Sequence, residues 1–271
     1  MTFLLVNTPQ MPRDFLGPRP KPRTLAEVNA LLAGGPAPAE PTRPIRIVLV
    51  AGTKDHGPGE HDYPAWQKAW SQLLAAGDKV EVATAWEWPE KAEFEKADVM
   101  VFYQHGDWDL RRETDINAFL ARGGGVVYIH WAIDGRKLGA DKAKHTALAA
   151  LGGVAFRHGP LTLNFNRDVS HPVTRNFTSL DLTDETYWKM TGSLPGDRLL
   201  ASATEDGQPQ PQLWSVERGK GRVFVSIPGH YSWTFDDPAF RILLLRAIAW
   251  SAHEPVDRFN ELVLPGAEVA R

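Results

Sequence analysis

"GGGVVYIHWAID", residues 123 to 134, sets three glycines before a run of β-branched and aromatic residues and stops that run on a histidine. Val126, Val127, Tyr128 and Ile129 show no polar alternation, the pattern of a strand covered on both faces, as parallel strands are. The glycines close a preceding helix and open the strand, which is a capping role and not a dinucleotide fingerprint. His130 therefore stands at the carboxyl end of a buried strand, where an imidazole needs a hydrogen-bond partner or a task. In open α/β sheets this end is where loops and helix N-termini converge on ligands.

Upstream, "IRIVLVAG" (45–52) and "DVMVFYQ" (98–104) repeat the buried-strand pattern, and "KVEVATAWEW" (79–88) adds another strand. Between them "YPAWQKAWSQLLAAG" (63–77) has helical apolar spacing, with Pro64 in the first turn and Gly77 at the stop; "EKAEFEKA" (90–97) and "TDINAFLARGG" (114–124) are further helices. Such alternation predicts a parallel sheet flanked by helices, in an order that resembles a doubly wound, flavodoxin-like sheet. After a helix at "DKAKHTALAALGG" (141–153) the texture changes to "VAFRHGPLTLNF" (154–165), "RLLASATE" (198–205) and "QPQLWSVERGKGRVFVSIPGH" (210–230). These read as a hairpin-bearing C-terminal half that turns at "RGKG", followed by a last helix in "DPAFRILLLRAIAWSA" (237–252). "ERGKGRVF" (217–224) lacks the full phosphate-loop pattern and lies between strands, so no nucleotide cofactor is expected.

The 271 residues are 43% hydrophobic, enough for one large domain. Residues 1–44 read as a Pro-rich N-terminal arm around the short helical pattern "TLAEVNALLAGG" (24–35), and 45–271 as the globular domain. The arm is packed on the domain or trails from it, and is a candidate contact for a second copy. Lys plus Arg number 30 against 33 for Asp plus Glu, so no broad basic surface draws nucleic acid or an anionic membrane. A small neutral ligand suits this balance better. The opening "MTFLLVNTPQMPRDF" has only a brief apolar run with no basic stretch before it, so cytoplasm is expected, or periplasm if a leader has been removed. The absence of cysteine removes disulfides, thiolate nucleophiles and thiolate metal sites together. Histidine and carboxylate must carry any chemistry.

Four strand ends deliver imidazoles to one rim. "IVLVAG" runs into "TKDHGPGEHDY" with His56 and His61; "VMVFYQ" into "HGDWDL" with His105 and Asp107; "VVYI" into His130; and "RVFVSIPG" into His230. His61, His130 and His230 are the leading candidates. His56, His145 and His253 read as exposed or capping groups, and His171, before Pro172, reads either as a group near the site or as part of a rigid turn.

Taken together, "GGGVVYIHWA" (123–132), "SHPVT" (170–174), "TDETY" (183–187), "WSVERGKGRVFVSIPGH" (214–230) and "DPAFRILLLRAIAW" (237–250) resemble the ThuA-like, trehalose-utilisation family. "AGTKDHGPGEHDYPAW" (51–66) is similar to the opening loop of one branch of it. The likeness runs from about Ile45 to His253 and leaves out the arm. It implies a class I glutamine amidotransferase-like fold, whose strand-to-helix elbow presents a cysteine nucleophile. Here that place falls on His130, and a chain without cysteine cannot hydrolyse glutamine through a thioester.

Two chemistries remain for a histidine at the elbow. Neutral imidazoles of His61, His130 and His230, with Glu185 as a carboxylate ligand or base, make a candidate site for a divalent metal such as zinc. Without metal, His130 or His230 serves as general acid or base, with Glu185 orienting it or acting as the second acid/base, while Asp184 is structural. Asp107, Trp108, Trp131, Tyr187 and Trp233 are the candidate substrate-binding residues, because flat rings beside polar groups suit a polyhydroxylated ligand. Trp66, Trp70 and Trp250 read as packing. The resemblance points the same way, toward sugar catabolism. The expected protein acts on a sugar or keto-sugar derivative by hydrolytic or acid/base chemistry, the alternative being a sugar-binding or regulatory domain that has lost catalysis.

Overall fold

A computed structural model describes residues 20–35, 42–106, 108–135, 154–190 and 198–270. In chain order they form α1 (Leu25–Leu32), β1 (Ile45–Ala51), α2 (Tyr63–Ala75), β2 (Val80–Trp86), α3 (Lys91–Lys96), β3 (Val99–Tyr103), α4 (Leu110–Ala121) and β4 (Gly125–Ile129). Then follow β5 (Ala155–Phe165), β6 (Ser179–Trp188), β7 (Leu199–Glu205), β8 (Gln208–Arg218), β9 (Gly221–Ser226) and α5 (Pro238–Ser251). The helix expected at 141–153, with His145, lies outside the described residues, as does Asp107.

The strands join in one nine-stranded sheet of order β2-β1-β3-β4-β9-β8-β7-β5-β6. From β2 to β9 every neighbour is parallel, and from β9 to β6 every neighbour is antiparallel. The flavodoxin-like expectation thus describes one part of the sheet, and the hairpin-rich second half makes the rest. The physical reason lies in the connections. Helical crossovers return the chain parallel, whereas the tight turn at Gly219 and Lys220 between β8 and β9 reverses it. "TDETY" proves to be the core of a long strand, β6.

Residues alternate between two apolar layers. Ile47 and Leu49 of β1 pack toward α2 and α5, and Val48 and Val50 pack toward α4. Every residue of α5 is buried, including Arg241 and Arg246. Arg241 is tolerated there because its guanidinium donates to the carbonyls of Phe235, Val263 and Pro265. Gly125 opens β4 where a Cβ would stand 2.1 Å from the Ser251 carbonyl oxygen, so α5 crosses β4 only over a residue without a side chain.

The described part of the arm sits on its own chain. Thr24 and Glu27 form a capping box at the start of α1, and Val28 is buried. Arg246 and Asn176 donate to the Leu31 carbonyl at 2.9 and 3.1 Å. Among the described residues no helix is long and apolar enough to cross a membrane.

Candidate functional site

The backbone at the end of β4 turns sharply: His130 has φ of 57°, a left-handed conformation that non-glycine residues rarely adopt, and it starts a short 3-10 turn, His130–Ile133. The turn places a fully buried imidazole over the carboxyl edge. Its Nδ1 lies 2.7 Å from the Ile227 carbonyl oxygen, which only accepts, so Nδ1 carries the proton. The Nε2 lone pair is left facing inward. It accepts from the Tyr187 hydroxyl at 2.9 Å and lies 3.3 Å from His230 Nδ1 and 3.1 Å from Glu185 Oε2.

His230 arrives through a turn after β9. Gly229 has φ of 144°, and a Cβ there would meet Ile129 Cγ2 at 2.6 Å, so this approach to the elbow needs glycine. Asp184 fixes the turn from β6, its Oδ1 accepting from Gly229 N at 3.1 Å and His230 N at 3.0 Å, and its Oδ2 from the Thr234 hydroxyl. The structural reading of Asp184 agrees with this clamp.

His61 comes from the loop after β1, with φ of 41°. Its backbone N–H donates to the His230 carbonyl at 2.9 Å, tying the two loops. Nδ1 lies 2.8 Å from Asp55 Oδ1 and 2.9 Å from the Tyr63 hydroxyl, while Nε2 is buried without a hydrogen-bond partner. Glu185, midway along β6, closes the group. Its Oε2 is 3.1 Å from His130 Nε2 and 3.0 Å from His230 Nδ1, yet neither contact has hydrogen-bond geometry.

Burial works against the charged forms of Glu185, His230, His61 and Asp55, and its balance with their neighbours differs from one to the next. Burial opposes ionisation of Glu185, but the imidazoles of His130 and His230 outweigh it and hold the carboxyl well below the usual carboxylate range. Burial also disfavours a charged His230, but Glu185 and Glu60 overcome this and raise it to about 9. At His61 burial wins over Asp55, with help from His130 and His230, and the pKa falls to about 2. Asp55 is held low by His56 and His61 against the effect of its own burial.

One ligand atom from each of His61, His130, Glu185 and His230 lies within 4.8 Å of the other three. The shorter separations, 3.0 to 3.3 Å, approach the roughly 3.3 Å edge of a tetrahedron with metal–ligand bonds of about 2.0 Å. Three imidazoles and a carboxylate, with orphaned lone pairs at His61 Nε2 and Glu185 Oε2, therefore fit a divalent cation.

The other expected site residues divide. Tyr187 stacks on His130 with ring centroids 4.9 Å apart, and half-buried Trp131 stands 5.6 Å from His61. Trp108 is 2% exposed and donates to the Ala132 carbonyl, so it is a core side chain and not a wall of the site. Trp233 stacks on Tyr231 and donates to the Thr183 carbonyl, one ring removed from the histidines. His56, read as an exposed or capping group, has its ring 3.9 Å from that of His61. His105 packs on Trp131, and His171 lies against Trp250 instead of the cluster. Trp66, Trp70 and Trp250 are buried as expected.

Three residues were missed. His158 of β5 faces Glu185 across the antiparallel pair, with Nε2 3.5 Å from Oε1 and Nδ1 3.0 Å from the Tyr231 hydroxyl. Asp55 and Glu60 precede His61 in the same loop, Asp55 touching His61 and Glu60 lying 3.6 Å from His230 Nε2. Only the β5–β6 register gives His158 away, whereas the two carboxylates stood in plain view beside a candidate ligand.

A family model described as "ThuA: Trehalose utilisation" matches residues 46–251. The chain belongs to the ThuA family. A ThuA-like protein from Parabacteroides merdae is 23% identical, covering 78% of this chain and 90% of that one, with a TM-score of 0.60. A ThuA-like protein from Bacteroides uniformis is 17% identical, covering 83% and 100%, also with a TM-score of 0.60. No curated protein matches the chain. The ThuA match contains the four converging residues together with Asp55, Glu60 and His158, and leaves the N-terminal arm outside.

Proposed function

We propose that this ThuA-family protein serves carbohydrate metabolism as a metal-assisted enzyme acting on a sugar or keto-sugar derivative. The observation that supports it best is the inward convergence of His61, His130, His230 and Glu185, each from a different chain segment, on a volume the size of one cation. His61 and His130 offer Nε2, His230 offers Nδ1 and Glu185 offers Oε2. A bound zinc ion would supply Lewis acidity toward a carbonyl or hydroxyl oxygen, or lower the pKa of a water. The chain's own groups do the rest. Ile227 fixes the His130 tautomer through its carbonyl, and the Tyr187 hydroxyl, 2.9 Å from His130 Nε2, is free to turn to a substrate oxygen once that lone pair is engaged. Trp131 offers its indole to the apolar face of a sugar ring, its Nε1 held by Asp134 at 3.1 Å. The family's description as trehalose utilisation supports the substrate class.

Metal analysis of purified protein, joined to a panel of disaccharides and their keto derivatives assayed before and after chelation, tests this reading. One zinc per chain and turnover abolished by chelator and restored by zinc are expected. Turnover that survives complete removal of metal, or survives His130→Ala, rejects it. Saturable sugar binding with no turnover would favour the regulatory alternative.

A further inference from the structure

Resting on that metal reading, we infer that Asp55 is a positioning residue: its carboxylate holds the proton of His61 on Nδ1 and so aims the Nε2 lone pair at the cation. Imidazoles that bind metals give their other N–H to a carboxylate or carbonyl, which fixes the tautomer and raises ligand basicity. His130 has this partner in the Ile227 carbonyl. For His61 the partner is Asp55 Oδ1 at 2.8 Å, on the ring nitrogen opposite the buried, unpartnered Nε2. The Tyr63 hydroxyl touches the same Nδ1 at 2.9 Å but is neutral, so the carboxylate is the stronger acceptor for the imidazole proton.

The contact is built into the loop. Asp55 Oδ1 also lies 2.8 Å from His56 Nδ1, so one oxygen straps the exposed imidazole and the buried one together. Asp55, His56 and His61 together are close enough to invite a second cation. A neutral His61 cannot serve both. If Nε2 binds the inner ion, Nδ1 keeps its proton and has no lone pair for an outer one. The geometry therefore assigns Asp55 to orientation.

Chelator-stripped wild type, Asp55→Asn and Asp55→Glu are each titrated with cobalt(II), reading its visible absorption for affinity, stoichiometry and coordination geometry. Thermal melts of the metal-free proteins report on folding. Wild type is expected to bind one cobalt per chain with a tetrahedral spectrum. Asp55→Asn should bind one cobalt with the same spectrum but about 10- to 100-fold more weakly. Its metal-free melt should be unchanged, and Asp55→Glu should recover part of the affinity. Equal affinity in wild type and Asp55→Asn overturns the inference while leaving the metal centre standing. Two cobalt ions in wild type and one in Asp55→Asn overturn it in favour of a second cation. No cobalt in wild type removes the metal centre and the inference together.

Discussion

Gly229 governs the direction of His230, because its φ of 144° and the 2.6 Å approach of a would-be Cβ to Ile129 Cγ2 leave no room for any other residue. Gly229→Ala is expected to cost about 1–3 kcal/mol of stability, measured by denaturant titration, through backbone strain and overpacking. On the proposed metal reading it should also weaken zinc binding by roughly tenfold or more, since His230 must move with the turn. Unchanged affinity would mean that His230 is not a ligand. Asp184→Ala acts on the same turn from the other side. It leaves the N–H groups of Gly229 and His230 and the Thr234 hydroxyl without their acceptor, so a loss of about 2–3 kcal/mol is expected in the same assay. At this scale the sequence pointed to candidates whose place follows from a strand end, His61, His130 and His230, and the fold brings them together. The sequence also pointed to Glu185, through the resemblance. It hid His158, because a hairpin register across more than ten intervening residues leaves no local mark, and it misassigned Trp108, because a tryptophan after a strand reads alike whether it points to the site or to the core.

The elements of the parallel half were legible because burial on both faces writes itself as unbroken apolar runs, as in "IVLV" and "VVYI". β6 was not legible as a strand. Its Thr183, Asp184, Glu185 and Thr186 are all buried, and a run of buried polar residues is the reverse of the pattern by which strands are recognised. The buried polar run of the candidate site masks the strand's own signal. Helix α1 shows the opposite case, a short element whose end signals are plain. Its capping box joins Thr24 and Glu27, with Thr24 N donating to Glu27 Oε2 at 2.7 Å and Glu27 N to Thr24 Oγ1 at 3.3 Å. Thr24→Ala is expected to destabilise the helix by about 1 kcal/mol. Because α1 is a short helix that buries only Val28, the loss should appear as roughly fivefold faster amide exchange at Val28, not as a change in global unfolding. Exchange at wild-type rates would mean that packing of Val28 and the Arg246 bond to the Leu31 carbonyl hold α1 without the cap.

Among the described residues, the two edges of the sheet hold their buried histidines in different surroundings. The carboxyl edge gathers buried histidines with Asp55, Glu60 and Glu185. The amino edge, where β9 begins at Gly221 and α5 ends at Ser251, holds a histidine in the opposite situation. His171 packs on Trp250 and accepts from Val173 N through Nδ1 at 3.3 Å. Burial, reinforced by the Arg222 guanidinium and only partly offset by Glu217, lowers its pKa to about 4. An imidazole kept neutral in the fold but free to protonate near 6.5 when unfolded takes up more protons in the unfolded chain between those values. Its contribution to stability is therefore complete above pH 6.5, declines as the pH falls, and is exhausted near pH 4. Allowing for solvent screening, the loss between pH 7 and 4 should be roughly 1–2 kcal/mol. His171→Asn keeps a side chain able to cap the following 3-10 turn, Pro172–Thr174, and cannot titrate. Urea unfolding of both proteins at pH 7 and pH 4.5 isolates the effect, because every other titrating group is common to the pair. Wild type should lose more stability than His171→Asn by that margin, and an equal loss in the two would mean that His171 is as easily protonated in the fold as outside it.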